Sequence, residues 1–190
     1  MSYYNERLEW ELAKAFFTAL ELNKYETAEA LIPLGVQPNM HIQANFCEVT
    51  TPLCEAVKMA CKKPWHDMTK ILEKLLENGG RLDMCDHSDN YFAQCNHKSC
   101  LHVACVDADI LSHVLKHNTY PITLESRRGC NNNHEYDCLD PISNELCINI
   151  ACSFDGEHGD MTPYDWALEN NMESAKILSD YGGTTFKDSQ

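Results

Sequence analysis

The chain has no run of about 18 apolar residues, the length a membrane-spanning helix needs, anywhere in its 190 residues. Its first residues, Met1-Ser2-Tyr3-Tyr4-Asn5-Glu6-Arg7, lack the basic and apolar segments of a secretory signal, so a soluble, cytoplasmic protein is expected. Positive charge is scarce as well: 15 Lys and Arg stand against 29 Asp and Glu, a net charge of -14. Nucleic acid and anionic membranes are recognised through Lys and Arg, so neither is expected as a partner. A partner protein with a basic surface fits this charge, and so does plain solubility. The glycines form no Gly-x-Gly-x-x-Gly or Gly-x-x-x-x-Gly-Lys sequence, which removes the phosphate-binding loops. What remains is 44% hydrophobic and 9% aromatic, the composition of one globular domain.

Cysteine, by contrast, is abundant. Its count of 11 is odd, however, and Cys54, Cys61 and Cys105 fall inside expected helices, so reduced thiols serving as small apolar residues fit better than a disulfide framework.

The most regular stretch is residues 51–83, which reads as a turn, two short helices and a glycine stop. Thr51 can cap a helix whose first-turn Pro52 has no amide hydrogen to lose, and Leu53, Ala56, Val57 and Ala60 fall on one face at helical spacing. Pro64 ends that helix. A second stripe of Met68, Ile71, Leu72, Leu75 and Leu76 runs up to Gly79-Gly80, a pair suited to a left-handed helix stop. Neither helix buries its stripe alone, so the unit requires neighbours.

Two further copies follow. Ser99-Cys100-Leu101-His102-Val103-Ala104 and Thr162-Pro163-Tyr164-Asp165-Trp166-Ala167 repeat the opening Thr51-Pro52-Leu53-Cys54-Glu55-Ala56, and Gly182-Gly183 repeats the ending after Ala175-Lys176-Ile177-Leu178. These openings resemble the T-P-L-H-x-A signature of the ankyrin-repeat family. The resemblance implies a mainly α fold, an ankyrin-repeat solenoid of about four helix-turn-helix units near 6–39, 51–83, 99–117 and 162–183, in a single domain.

Residues 6–23 carry Leu8, Leu12, Ala15, Phe16, Ala19 and Leu20 on a stripe, and 25–34 a second set around Ala28, Ala30, Leu31 and Ile32. This pair lacks the Thr-Pro opening and is expected to be the N-terminal cap, followed by a hairpin-like connection through Val49. Thr51 and Ser99 are 48 residues apart, and Ser99 and Thr162 are 63 apart. A repeat of about 33 residues leaves a surplus in each interval. The insertions are assigned to 84–98 and 118–160, as elongated fingers. For the second, Ile122-Thr123-Leu124-Glu125-Ser126 and Leu146-Cys147-Ile148-Asn149-Ile150 are expected to pair as one long hairpin, with a degenerate repeat as the alternative. Residues 162–183 form the C-terminal cap, and 184–190 are expected to be loosely ordered.

Two constellations bear on chemistry. Cys85, His87, Cys95, His97 and Cys100 could surround a zinc ion, and Cys130, His134 and Cys138 repeat the idea with fewer ligands, although neither spacing matches a common zinc finger. Cys95 or Cys130 could be built into a thiol-enzyme story, without local support. His102 has the structural role that the resemblance gives the opening His, bonding neighbouring turns. The function implied by the resemblance is a non-catalytic, monomeric protein-binding module, with no cofactor, metal or catalytic residue assigned. Small ankyrin proteins of this kind are made by intracellular bacteria and large viruses to engage host proteins, and also serve as ordinary eukaryotic adaptors. The zinc- or thiol-dependent switch or enzyme is the alternative. The matching contact positions are Glu55, Lys58 and Trp166 on the first helices, and the finger residues Tyr91, Phe92, Arg127, Arg128 and Tyr136, since exposed aromatics and Arg carry most hot-spot energy.

Overall fold

A computed structural model of the chain describes residues 3–45, 48–62, 64, 67–88, 98–125, 127–128, 144–153 and 160–188. These residues are mainly helical. Eight α-helices come in four consecutive pairs: α1 (Tyr3–Glu21) with α2 (Tyr25–Leu31), α3 (Pro52–Lys62) with α4 (Thr69–Glu77), α5 (Cys100–Ala104) with α6 (Ala108–His117), and α7 (Pro163–Asn170) with α8 (Met172–Asp180). The first helices contact one another in order, α1 to α3 to α5 to α7, and the second helices do the same, α2 to α4 to α6 to α8. Two parallel rows result, with the core between them.

The periodicity explains the burial. Leu53, Ala56, Val57 and Ala60 of α3 and Ile71, Leu72, Leu75 and Leu76 of α4 are all 0 or 1% exposed. Each such Leu, Ile or Val is worth about 1.5–3 kcal/mol relative to exposure. α5 has only 5 residues, too few to be stable in isolation, so packing and capping must hold it. Gly79 and Gly182 end their units at φ 83° and 85°, the left-handed conformation that residues with a Cβ avoid.

In the first pair the expected stripe is partly displaced. Phe16, Ala19 and Leu20 are buried, but Leu8 is 53% exposed and Ala15 is exposed, while Ala13 and Phe17 are buried in their place. Phe17 and Ala13 face Ile42 of the following strand rather than the next helix. A helix-only stripe could not anticipate that partner. Ala30, too, is exposed, and Ala28 and Ile32 carry the burial of the second segment.

Strands β1 (Ile42–Asn45), β2 (Glu48–Thr50), β3 (Cys85–Ser88) and β4 (Lys98–Ser99) form one four-stranded antiparallel sheet in sequence order. The strands of the connection before α3 and those that bound the first insertion are therefore antiparallel neighbours. The second insertion departs from expectation. β5 (Ile122–Thr123) pairs with β7 (Leu146–Cys147) in parallel, and β6 (Arg127–Arg128) pairs with β8 (Ile150–Ser153) in parallel. Residues 122–126 and 146–150 are thus not the two arms of a hairpin, because hairpin arms run antiparallel and parallel strands need a long crossover. The antiparallel partner of β8 is instead β9 (Asp160–Met161), just before the fourth opening.

Residues 184–186 of the C-terminal segment are tied down, against expectation, and 189–190 lie outside the described residues. Thr184 donates its amide to Asn149 Oδ1 at 2.9 Å and accepts from Thr162 Oγ1 at 2.8 Å, while the Phe186 amide donates to Asp165 Oδ2 at 2.8 Å. Backbone hydrogen bonds do here what apolar content does not. Among the described residues no helix is long and apolar enough to cross a membrane.

Candidate functional site

The three openings use one capping device with different side chains. Thr51 Oγ1 accepts from the Cys54 amide at 3.2 Å, and Thr162 Oγ1 from the Asp165 amide at 3.2 Å. In the third unit His102 takes the reciprocal part. Its Nδ1 accepts from the Ser99 amide at 3.2 Å and lies 2.7 Å from Ser99 Oγ, and its Nε2 lies 3.0 Å from the Met161 carbonyl. Since Nδ1 accepts from an amide, the ring proton is on Nε2 and is donated to Met161. His102 is fully buried. It joins the third unit to the strand that opens the fourth.

This cap fixes what the next turn of each helix presents. The residue four after the cap is Glu55 in α3, Val103 in α5 and Trp166 in α7, and all three are half-buried on consecutive helices of the first row. Lys58 Nζ lies 3.9 Å from Glu55 Oε2, one helical turn away. Lys98 of β4 places its ammonium 3.9 Å from the centre of the Trp166 ring, a cation–π contact from the third unit's finger to the fourth unit's helix. The structure thus brings Glu55, Lys58 and Trp166 onto one row of helices, beside the finger sheet. Arg127 and Arg128 lie in β6, with only their backbone described, and Tyr91, Phe92 and Tyr136 lie outside the described residues.

Of the first Cys/His constellation, Cys100 is fully buried in the core at the start of α5, and Cys85 and His87 are described in backbone only, as members of β3. Cys95, His97, Cys130, His134 and Cys138 lie outside the described residues. Cys54, Cys61, Cys100, Cys105, Cys147 and Cys152 stand as thiols rather than disulfides. Several stitch neighbouring units. Cys61 Sγ donates to the Val103 carbonyl at 3.7 Å and Cys105 Sγ to the Pro163 carbonyl at 3.5 Å. Burial pushes the Cys61 thiol up to about 12, with the Asp107 charge adding to it. Such a thiol is a poor nucleophile at neutral pH.

A second constellation lies in the other row and was not anticipated. Glu73 of α4 faces His113 and His117 of α6, with Glu73 Oε1 3.5 Å from His113 Nε2 and 3.6 Å from His117 Nε2. The two imidazole rings lie 4.6 Å apart between centres, tilted by 35° to one another. Burial lowers the His113 pKa, and the neighbouring His117 lowers it further, while Glu73 opposes both. The signal in the sequence was His113-Val114-Leu115-Lys116-His117, two His one helical turn apart. Glu73 comes from 40 residues earlier, and stacking alone brings it there.

No protein-family model matches the chain, and no curated protein matches it significantly.

Proposed function

We propose that the chain is an ankyrin-repeat solenoid that binds a partner protein and catalyses no reaction. The observation that carries the reading is the pairing of the two helix rows with a recurrent cap. Thr51, Ser99 and Thr162 each begin a first-row helix, and that helix packs on the next in order. Stacked repeats of this kind build one extended surface from equivalent positions. Glu55, Val103 and Trp166 are such positions here, with Lys58 and Lys98 beside them. Tyr91, Phe92, Arg127, Arg128 and Tyr136 of the two insertions belong to the same proposed contact surface.

The net charge of -14 favours a partner with a basic face. A cytoplasmic location and a monomeric state belong to the same proposal, as does a role as a bacterial or viral factor engaging a host protein. The test compares wild type with Glu55→Lys, Trp166→Ala and a variant in which residues 129–143 become a glycine-serine chain of equal length. Each is checked by circular dichroism, and capture of partners from eukaryotic lysate is measured at low and high salt. Salt-sensitive capture of one partner, weakened at least tenfold by Glu55→Lys or Trp166→Ala, is the expected result. Capture indifferent to every substitution would refute this surface. Replacing the whole of 118–160 would be uninformative, because Leu146, Ile148 and Asn149 within it are buried.

A further inference from the structure

We propose that Glu73, His113 and His117 form a binding site for a divalent ion of the zinc class, bridging the second and third helix pairs. The argument rests on geometry and on the chemistry of the donors, and stands apart from the partner-binding reading. Zinc is held by imidazole nitrogen and carboxylate oxygen at about 2.0–2.2 Å in tetrahedral geometry. Two such donors on one ion are therefore about 3.3–3.5 Å apart. Glu73 Oε1 is 3.5 Å from His113 Nε2 and 3.6 Å from His117 Nε2, and the ligand atoms of all three residues lie within 4.8 Å of one another. The two Glu73–His spacings are long for hydrogen bonds and close to those of a shared ion. Small rotations of the imidazoles would complete the fit.

Three further observations agree with a ligand role. His113 and His117 are one turn apart on α6, so both rings leave the same helix face. The His113 ring also hydrogen-bonds the backbone of Thr69 in the sense that favours a ring proton there, leaving Nε2 to face Glu73. That is the second interaction that metal-bound imidazoles ordinarily make, and it fixes ring and tautomer. The site is sheltered without being closed, since the side chains of His113, His117 and Glu73 are 13, 31 and 34% exposed. Three protein donors and an open side describe a site with one position left for water or for a ligand from another molecule. A soft thiolate is absent from the trio, so an ion suited to nitrogen and oxygen donors is favoured over copper(I).

The experiment titrates the purified full chain with zinc against a chromophoric chelator, beside Glu73→Gln, His113→Gln, His117→Gln and the control His41→Gln. Cobalt(II) replaces zinc in a parallel series read by absorption. Expected are a site of micromolar dissociation constant, at least tenfold weakening in each of the three variants, and none in the control. The cobalt complex should show tetrahedral ligand-field bands without a thiolate charge-transfer band. Zinc should also raise the melting temperature of wild type and of His41→Gln, but not of His113→Gln. That second readout is needed should His113→Gln itself be less stable. Failure of wild type to bind zinc at micromolar concentration would overturn the proposal. So would zinc binding that survives His113→Gln and His117→Gln unchanged, which places the ion elsewhere, or a cobalt spectrum carrying a thiolate band, which places it on cysteine.

Discussion

Replacing Asp83 by Leu should cost the protein about 3–5 kcal/mol, the range for leaving one partner of a buried ion pair uncompensated. Arg81 and Asp83 directly follow the glycine stop of the second unit, and their side chains are 6 and 7% exposed. They meet in a two-point contact, Nε to Oδ1 at 3.0 Å and Nη2 to Oδ2 at 2.7 Å. The pair also organises its surroundings. Arg81 Nη2 donates to the Glu145 carbonyl at 2.8 Å, Asp83 Oδ2 accepts from the Cys147 amide at 3.1 Å, and the guanidinium lies 4.9 Å from the centre of the Tyr120 ring. Through these bonds the end of the second unit holds β7, more than 60 residues later. Asp83→Leu leaves the guanidinium buried without a counter-charge and the Cys147 amide without its acceptor. At about 2–4 °C per kcal/mol for a chain of this size, melting should fall by about 6–20 °C. The double variant Arg81→Met with Asp83→Leu removes both charges and should regain most of the loss, short of the unmade bond to Cys147, worth about 1–3 kcal/mol. Urea unfolding followed by circular dichroism, closed as a double-mutant cycle, measures the coupling. Losses under about 1 kcal/mol in both single variants, or strict additivity in the double, would refute the claim that this pair is buried and mutually dependent.

Gly182→Ala should destabilise the last unit by about 1–3 kcal/mol, because Gly182 has φ 85°, a left-handed conformation that a residue with a Cβ rarely adopts, and the exposed Leu124 side chain would also have to turn aside. Hydrogen exchange in α8 should rise before that in α4. His102→Ala should cost about 2–3 kcal/mol and loosen β9, since the ring bonds both Ser99 and Met161. Amide exchange at Met161 and Thr162 reads this directly, and no change there would contradict the bridge. Cys61 and Cys105 should resist alkylation in the native protein at pH 8 and react on unfolding, because burial raises both thiols. Peptide mass spectrometry after a timed iodoacetamide pulse decides it. Glu29 should titrate below the ordinary Glu range, because Lys74 Nζ bonds its Oε1 at 2.8 Å. Its folded pKa is depressed, so its contribution is present above the unfolded value of about 4.3 and is lost as pH falls through the folded one. Carboxyl NMR should show most of the shift lost in Lys74→Met, with Lys70 still acting on the carboxylate.

Some of this was legible without a structure. Leu53, Ala56, Val57 and Ala60, and then Ile71, Leu72, Leu75 and Leu76, carry a helical period that few other arrangements could bury, and all are in the core. The cap at Thr51 was legible for the same local reason, since its hydroxyl meets the Cys54 amide within one turn. The second insertion was misread because alternation of β-branched residues is the same in parallel and antiparallel ladders. With strands as short as 122–123 and 146–147, only long-range packing chooses between them. Glu55, Lys58 and Trp166 could be proposed as contact residues from their distance after each opening, but the Lys98 ammonium over Trp166 could not.

In the second helix pair and in α6 the sequence by itself determined which stripe each helix must bury, because periodicity acts within a few residues of chain. Tertiary structure decided what each stripe and each polar group meets. Asn149 is bonded to Leu124, Gly182 and Thr184, and Glu73 is carried to His113 and His117, by the stacking of one pair on the next. Those partners are separated by tens of residues. The chain's local preferences are silent about such pairs, and the geometry of the stack fixes them.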